Sequence, residues 1–424
     1  MITSSPHILQ TLLPLIKNTG STVIIRGLFG AARIVVLLFV AKHFGPEEFG
    51  RLSLVLSITE IFKVMADFGI DTVTIRRFAV NRLLSVTILR NVLTLKLSTA
   101  TLAYLAAMTF FLATYGSSQG LALLSIIAVS IYSTLLINAF VSYFQANLSV
   151  SHVISSNIIS AIVFIILTLI CIHFDLSLIA FAAVFPLSEM VNLLMTAHVF
   201  GNIAPIKLEF HKKILCSLLK ESLPVGIAGL IVVAYLRLDI LMIGWYIGEK
   251  GVGEYAAAYR ITEPFLLIFS SLSISLYAHL SLKKTAVDRE KAKRTLFIIL
   301  VPLIASGIVI AGTLFIFSRE IIQLLSPAYM TSLGALMILS WAIVFKAINP
   351  QLTAFINARG RFSLITVIAM GNLALNIVLN TILIPKYGIN GAASAVVITE
   401  FFNTLCQASA IVYLLRGPQR RLFS

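Results

Sequence analysis

Two stretches 203 residues apart restrict this chain more than any other feature. Ile247 to Phe265 reads IGEKGVGEYAAAYRITEPF, and Phe44 to Phe62 reads FGPEEFGRLSLVLSITEIF. At that constant offset Gly45 matches Gly248, Gly50 matches Gly253, the run Ile58, Thr59, Glu60 matches Ile261, Thr262, Glu263, and Phe62 matches Phe265. A looser third copy, Tyr387 to Phe402, reads YGINGAASAVVITEFF. Each copy is a glycine-bearing turn followed by a small-residue or apolar helix that carries one carboxylate. Duplication within an apolar chain is a mark of many transporter folds, and here it predicts two halves of one architecture.

The chain is apolar enough for that reading. Hydrophobic residues make up 59% of it and charged residues 12%, with a mean hydropathy of +1.00; a soluble domain carries roughly twice that charged share. A spanning helix needs about 20 apolar residues, and that ruler finds twelve candidates. Six are 20–41, 52–68, 97–115, 121–144, 153–174 and 176–200; six more are 223–247, 255–280, 296–317, 328–356, 362–384 and 391–415. The expected fold is an all-α integral membrane protein of twelve transmembrane helices in two six-helix lobes. The lobes are expected at 1–200 and 222–424, joined by a polar, amphipathic connector over 201–221 along the inner surface.

The net charge of +15 resolves by position. With the N-terminus inside, twenty-one of the 32 Lys and Arg residues fall in inner segments and five in outer ones. Lys96 counts there as an inner-loop residue between helices two and three. This asymmetry predicts cytoplasmic termini and accounts for the basic charge without nucleic acid. The three cysteines have no paired spacing, and no HExxH or Walker A sequence is present, so neither a metal site nor ATP-driven pumping is indicated.

Twelve charges remain inside the predicted spans, six of each sign. A charge near the bilayer centre costs on the order of 3 kcal/mol, so such residues imply a polar interior. Arg26 and Arg33, seven apart, share one face of helix one with no acid on that face. Glu60, Lys63 and Asp67 share one face of helix two, where Lys63 can pair with either acid. Helix seven carries Arg237 and Asp239 on nearly opposite faces; helix eight carries Arg260 and Glu263, close enough to pair. Glu189, Lys346 and Glu400 complete the set. One reading makes these charges packing pairs between helices. The other makes them the lining of a water-filled lumen that binds an anion, with carboxylates taking up H+ or Na+. Arginine suits a phosphate because it stays charged and binds two oxygens at once.

The runs LRLDILMIGWYIG and GEKGVGEYAAAYRITEPF resemble the start of the second lobe of Wzx-type polysaccharide flippases. AKHFGPEEFGRLSLVLSITEIFKVMADFGID and PKYGINGAASAVVITEF resemble the same family. That family belongs to the MOP exporter superfamily, with the lipid II flippases and the MATE exporters. The resemblance implies a V-shaped, twelve-helix protein of the bacterial inner membrane that moves undecaprenyl-diphosphate-linked oligosaccharides from the cytoplasmic to the periplasmic leaflet. It implies contact between lumenal basic residues and the lipid diphosphate, and it maps that role onto Arg26, Arg33 and Arg260; Arg237 and Lys346 join them from depth alone. Lipid II flippases carry two further C-terminal helices, and this chain ends soon after helix twelve, which favours an O-antigen, capsule or related unit.

The expectation is therefore a transporter rather than an enzyme, with no cofactor beyond H+ or Na+ coupling. Glu60 or Glu263 is expected to relay the ion, with Asp67, Asp239 and Glu400 as further coupling or pairing residues. Its partners would be the lipid-linked oligosaccharide, membrane lipids and other glycan-assembly proteins. The alternatives are a MATE-like cation or drug exporter, which wants an acidic, aromatic lining, and a membrane glycan polymerase or transferase, which needs larger outer loops than this chain has.

Overall fold

The computed structural model describes residues 6–147, 151–280 and 289–416, with side chains from residue 32 onward at all but a few positions. Lys283, Lys284, Arg420 and Arg421 lie outside the described residues, as do the side chains of Lys17, Arg26, Arg82, Arg289, Lys291, Lys293 and Arg416.

The described residues form helices and contain no strand. In chain order they are α1 (Pro6–Asp67), α2 (Ile70–Val80), α3 (Ser85–Thr114), α4 (Ser118–Ile127), α5 (Ser130–Ala146), α6 (Ser151–His173), α7 (Leu178–Ala182) and α8 (Val184–Gly201). There follow α9 (Lys212–Tyr246), α10 (Glu249–Leu280), α11 (Arg289–Ile316), α12 (Ser318–Leu325), α13 (Leu333–Asn357) and α14 (Phe362–Arg416). Eight described stretches are long and apolar enough to cross a membrane. One of these, within α14, is broken at Gly388 into two arms. With the two arms of α1 and with α10, this is the expected twelve-helix architecture.

Three glycines make the breaks. Gly45 splits α1 with φ 78°, Gly248 separates α9 from α10 with φ 97°, and Gly388 splits α14 with φ 59°. These are the turns of the three copies, and only glycine adopts that left-handed region without strain. At Gly45 and Gly248 a Cβ would meet nothing within 4 Å, so backbone conformation, not space, calls for glycine there.

The copies pack together. One core takes Phe49, Leu52, Val55 and Ile58 from the first, Val252, Tyr255 and Ala256 to Ala258 from the second, and Ile389, Ala392, Ala393 and Val396 from the third. At this glycine end both halves share one interior. At the opposite, connector end the cores are separate: one gathers Ile70, Val73, Phe78, Leu89, Val92, Phe140 and Phe200, and another gathers Leu276, Leu296, Leu352, Phe355 and Ile411. A shared core at one end and separate cores at the other give the V shape.

Two expectations change. No helix lies between Gly201 and Lys212, but Lys212 to Glu221 begin α9 instead of lying along a surface strap. Leu215 and Leu218, three apart and so on one helix face, are buried in the first half's core and anchor that turn. Helix three starts at Ser85, twelve residues before the predicted Leu97, because Ile88, Leu89, Val92 and Leu93 form a buried stripe at helical spacing. Lys96 is therefore a fully buried helix residue, not a loop charge.

Candidate substrate-binding cavity

Residues from both halves converge on a cavity of about 180 Å³. The two arms of α1 bring Arg33, Glu60 and Lys63; α6 brings Phe164 and α8 brings Glu189; α9 and α10 bring Arg237 and Arg260. Four cations and two carboxylates thus line it, and Glu263 stands 3.2 Å from Arg260, leaving a positive excess of one.

The cations are held differently. Lys63 Nζ lies 3.1 Å from Glu189 Oε1 and 3.9 Å from Glu60. The other Glu189 oxygen accepts from the Thr134 hydroxyl at 2.5 Å. Arg33 instead sits over the Phe164 ring, its guanidinium carbon 4.5 Å from the centroid. An aromatic face attracts a cation without consuming its N–H groups, so the edge of the guanidinium remains available. Among the described residues neither Arg33 nor Arg237 has an acid within 4.0 Å. Arg260 keeps a buried Nε with no hydrogen-bond partner. The arrangement has the chemistry that an anion would need: guanidinium groups from both halves, incompletely satisfied by the protein's own carboxylates.

The remaining sequence candidates lie in two other clusters. Asp239 is buried; the Tyr255 hydroxyl donates to one of its oxygens and the Ile240 N–H to the other at 2.9 Å. Lys346 does not line the cavity. Its ammonium is 4.9 Å from the Tyr259 ring centroid, 3.4 Å from that hydroxyl and 3.9 Å from Glu400. Glu400 also accepts from Asn349 Nδ2 at 2.7 Å. Asp67 does not pair with Lys63: its Oδ1 lies 3.0 Å from Lys96 Nζ. The same ammonium donates to Asp71, which sequence reasoning did not single out. Extending helix three back along its apolar stripe would have revealed Lys96 as buried; nothing local marks Asp71. The side chain of Arg26 lies outside the described residues.

Two family models match the chain: one described as polysaccharide biosynthesis protein over residues 15–281, and one described as MatE over residues 224–382. A protein described as a probable low-salt glycan biosynthesis flippase, Agl15 of Haloferax volcanii, is 23% identical over 175 residues, 41% of this chain and 37% of that relative. The matches span about two fifths of the length of the curated relatives. By fold, the chain is similar to the lipid II flippase MurJ in an inward closed conformation, with a TM-score of 0.73 and 19% identity over 93% of this chain and 87% of that one. It is also similar to an inward-facing multidrug resistance MATE transporter of the MOP superfamily, with a TM-score of 0.71 and 14% identity over 92% and 96% of the two chains.

Proposed function

Because the chain belongs to the polysaccharide biosynthesis protein family of the MOP superfamily, we propose that it is a flippase for lipid-linked oligosaccharides, working by ion-coupled alternating access. The observation that carries this reading is the cavity with Arg33 and Arg237, two guanidinium groups from opposite halves with no acid partner within 4.0 Å among the described residues. A diphosphate offers oxygens enough for both, and Arg33, held over the Phe164 ring rather than by an acid, keeps N–H groups for bidentate contact. Arg260 adds to the anion site and the resemblance extends the same role to Arg26, the glycan occupies the polar space between the lobes, and the lipid tail stays in the bilayer.

The carrier we assign is undecaprenyl diphosphate and the cargo an O-antigen or capsule-type unit, as the resemblance implies. The protein sits in the bacterial inner membrane with both termini cytoplasmic. The connector end faces the cytoplasm, and lobes over 1–200 and 222–424 rock about the shared core at the glycine end. The MatE match favours one second reading, export of an organic cation, but a cation would be repelled by the positive excess of the lining.

The test is complementation of a flippase-deleted bacterium with Arg33→Ala and Arg33→Lys, scoring surface polysaccharide against protein abundance. Loss with Ala at normal abundance and partial rescue by Lys is expected. Full activity with Ala would mean that the arginine is structural and the diphosphate is held elsewhere.

A further inference from the structure

The second arm of α1 ends at Asp67 in a break with no counterpart among the described residues of the other copies. Phe68 and Gly69 take φ 43° and 79°, and α2 leaves in a new direction. A positive φ at a phenylalanine is strained and persists only where the surroundings enforce it. Two sets of contacts do so. Across the halves, a Cβ at Gly226 of α9 would fall 2.5 Å from the Phe68 carbonyl oxygen, and one at Gly69 would fall 2.8 Å from Gly226 N. Pro224, inside α9, puts a helix weakness at the same level. Within the first half, Asp67 precedes the break and Asp71 follows it, and the single Lys96 ammonium of α3 holds both. Lys96 is fully buried, whereas the carboxylate side chains retain about one fifth of their exposure, 21% and 22%.

We propose that Asp71, sharing the Lys96 ammonium with Asp67, is a proton-binding site, and that Lys96 uses its occupancy to control the hinge at Phe68 and Gly69. Two carboxylates sharing one ammonium hold a net negative charge in a largely buried place, which favours uptake of one proton. While both are ionised, the ammonium staples the two sides of the break together. Protonation of Asp71 removes one arm of the staple, so that α2 and the arm 46–67 move separately and the Phe68 contact with Gly226 is released. Among the described residues, the charged groups facing Asp71 are Asp67 and Lys96; α5 contributes the Ser142 hydroxyl at 3.4 Å, and α9 meets α2 through Glu221, which is engaged by Arg77 at 2.5 Å. The proposal rests on the alternating-access reading but not on its substrate.

The experiment places spin labels at Leu83→Cys and Phe362→Cys, both exposed at the connector end, one in each half. The full-length, otherwise cysteine-free protein is held in nanodiscs without substrate, and the interlabel distance is measured between about pH 8 and about pH 5. The expected result is a distance that lengthens on acidification in the parent protein and stays long at both pH values in Asp71→Asn. Asp67→Asn serves as the second variant if Asp71→Asn is not recovered folded. Arg77→Gln, which leaves the carboxylate pair intact, should keep the pH response. A distance independent of pH in the parent, or a parental pH response in Asp71→Asn or Asp67→Asn, overturns the proposal. Because no substrate is present, failure here leaves the glycan reading untouched; failure of Arg33→Ala to impair complementation would do the reverse.

Discussion

Gly50 and Gly253 meet backbone to backbone across the two halves, and they occupy the same position in the repeat. A Cβ on Gly50 would lie 1.7 Å from the Glu249 carbonyl oxygen, and one on Gly253 would lie 1.7 Å from the Pro46 carbonyl oxygen. Pro46 and Glu249 are themselves repeat equivalents, so the contact is reciprocal, as a local two-fold axis between the halves requires. Arg51 flanks it, 2.7 Å from Glu249.

Alanine at these sites should separate two kinds of glycine. Gly50→Ala or Gly253→Ala forces helix backbones apart and should cost about 3 kcal/mol. Gly45→Ala or Gly248→Ala meets open space and should cost only about 1 kcal/mol through its left-handed backbone. Thermal unfolding in detergent gives the order; equal losses at all four positions would refute the close-contact account.

Lys63 and Glu189, side chains 13% and 20% exposed, form the cavity's most enclosed pair. Removing one partner strands a charge: Glu189→Gln or Lys63→Met should cost about 3 kcal/mol each, whereas the double replacement by methionine should recover most of the loss. Additive losses in the double variant would show that the pair is not coupled.

Tyr255→Phe leaves buried Asp239 with only the Ile240 N–H, and should cost about 2 kcal/mol. Tyr329→Phe removes a bond to a neutral acceptor, the Ala41 carbonyl at 2.8 Å, and should cost about half as much. Melting of the two variants side by side tests the ranking.

Lys346 and Arg33 should fail in opposite ways. Lys346→Met unpairs Glu400 in the second half and should reduce the amount of folded protein, while what folds still transports. Arg33→Ala should leave abundance intact and abolish transport. An abundant but inactive Lys346→Met would return that lysine to the anion site, where its depth first suggested it.

The twelve helices and the three turns were legible because each depends on local pattern: about 20 apolar residues, a glycine punctuating them, and a repeat that says the pattern occurs twice. Helix ends were read less well. Charged residues such as Lys96 and Lys212 look like loop when the buried stripe beside them is overlooked, and a lysine at the start of a span is ordinarily at a membrane surface. The cavity was half legible, since face geometry on one helix identifies which charges cannot pair locally but not which helix stands opposite.

The partners were decided in three dimensions. From its place in the chain Lys63 had Glu60 and Asp67 within reach, yet its near partner is Glu189, 126 residues away, while Asp67 turns to Lys96 and Asp71. The sequence by itself determined that this chain spans a membrane as two related halves with charge inside, because hydropathy and repetition act residue by residue along the chain. Only the tertiary structure decided which charges neutralise one another and which keep no acid beside them, because ion pairing acts over a few ångströms of space and packing alone sets which helices come that close.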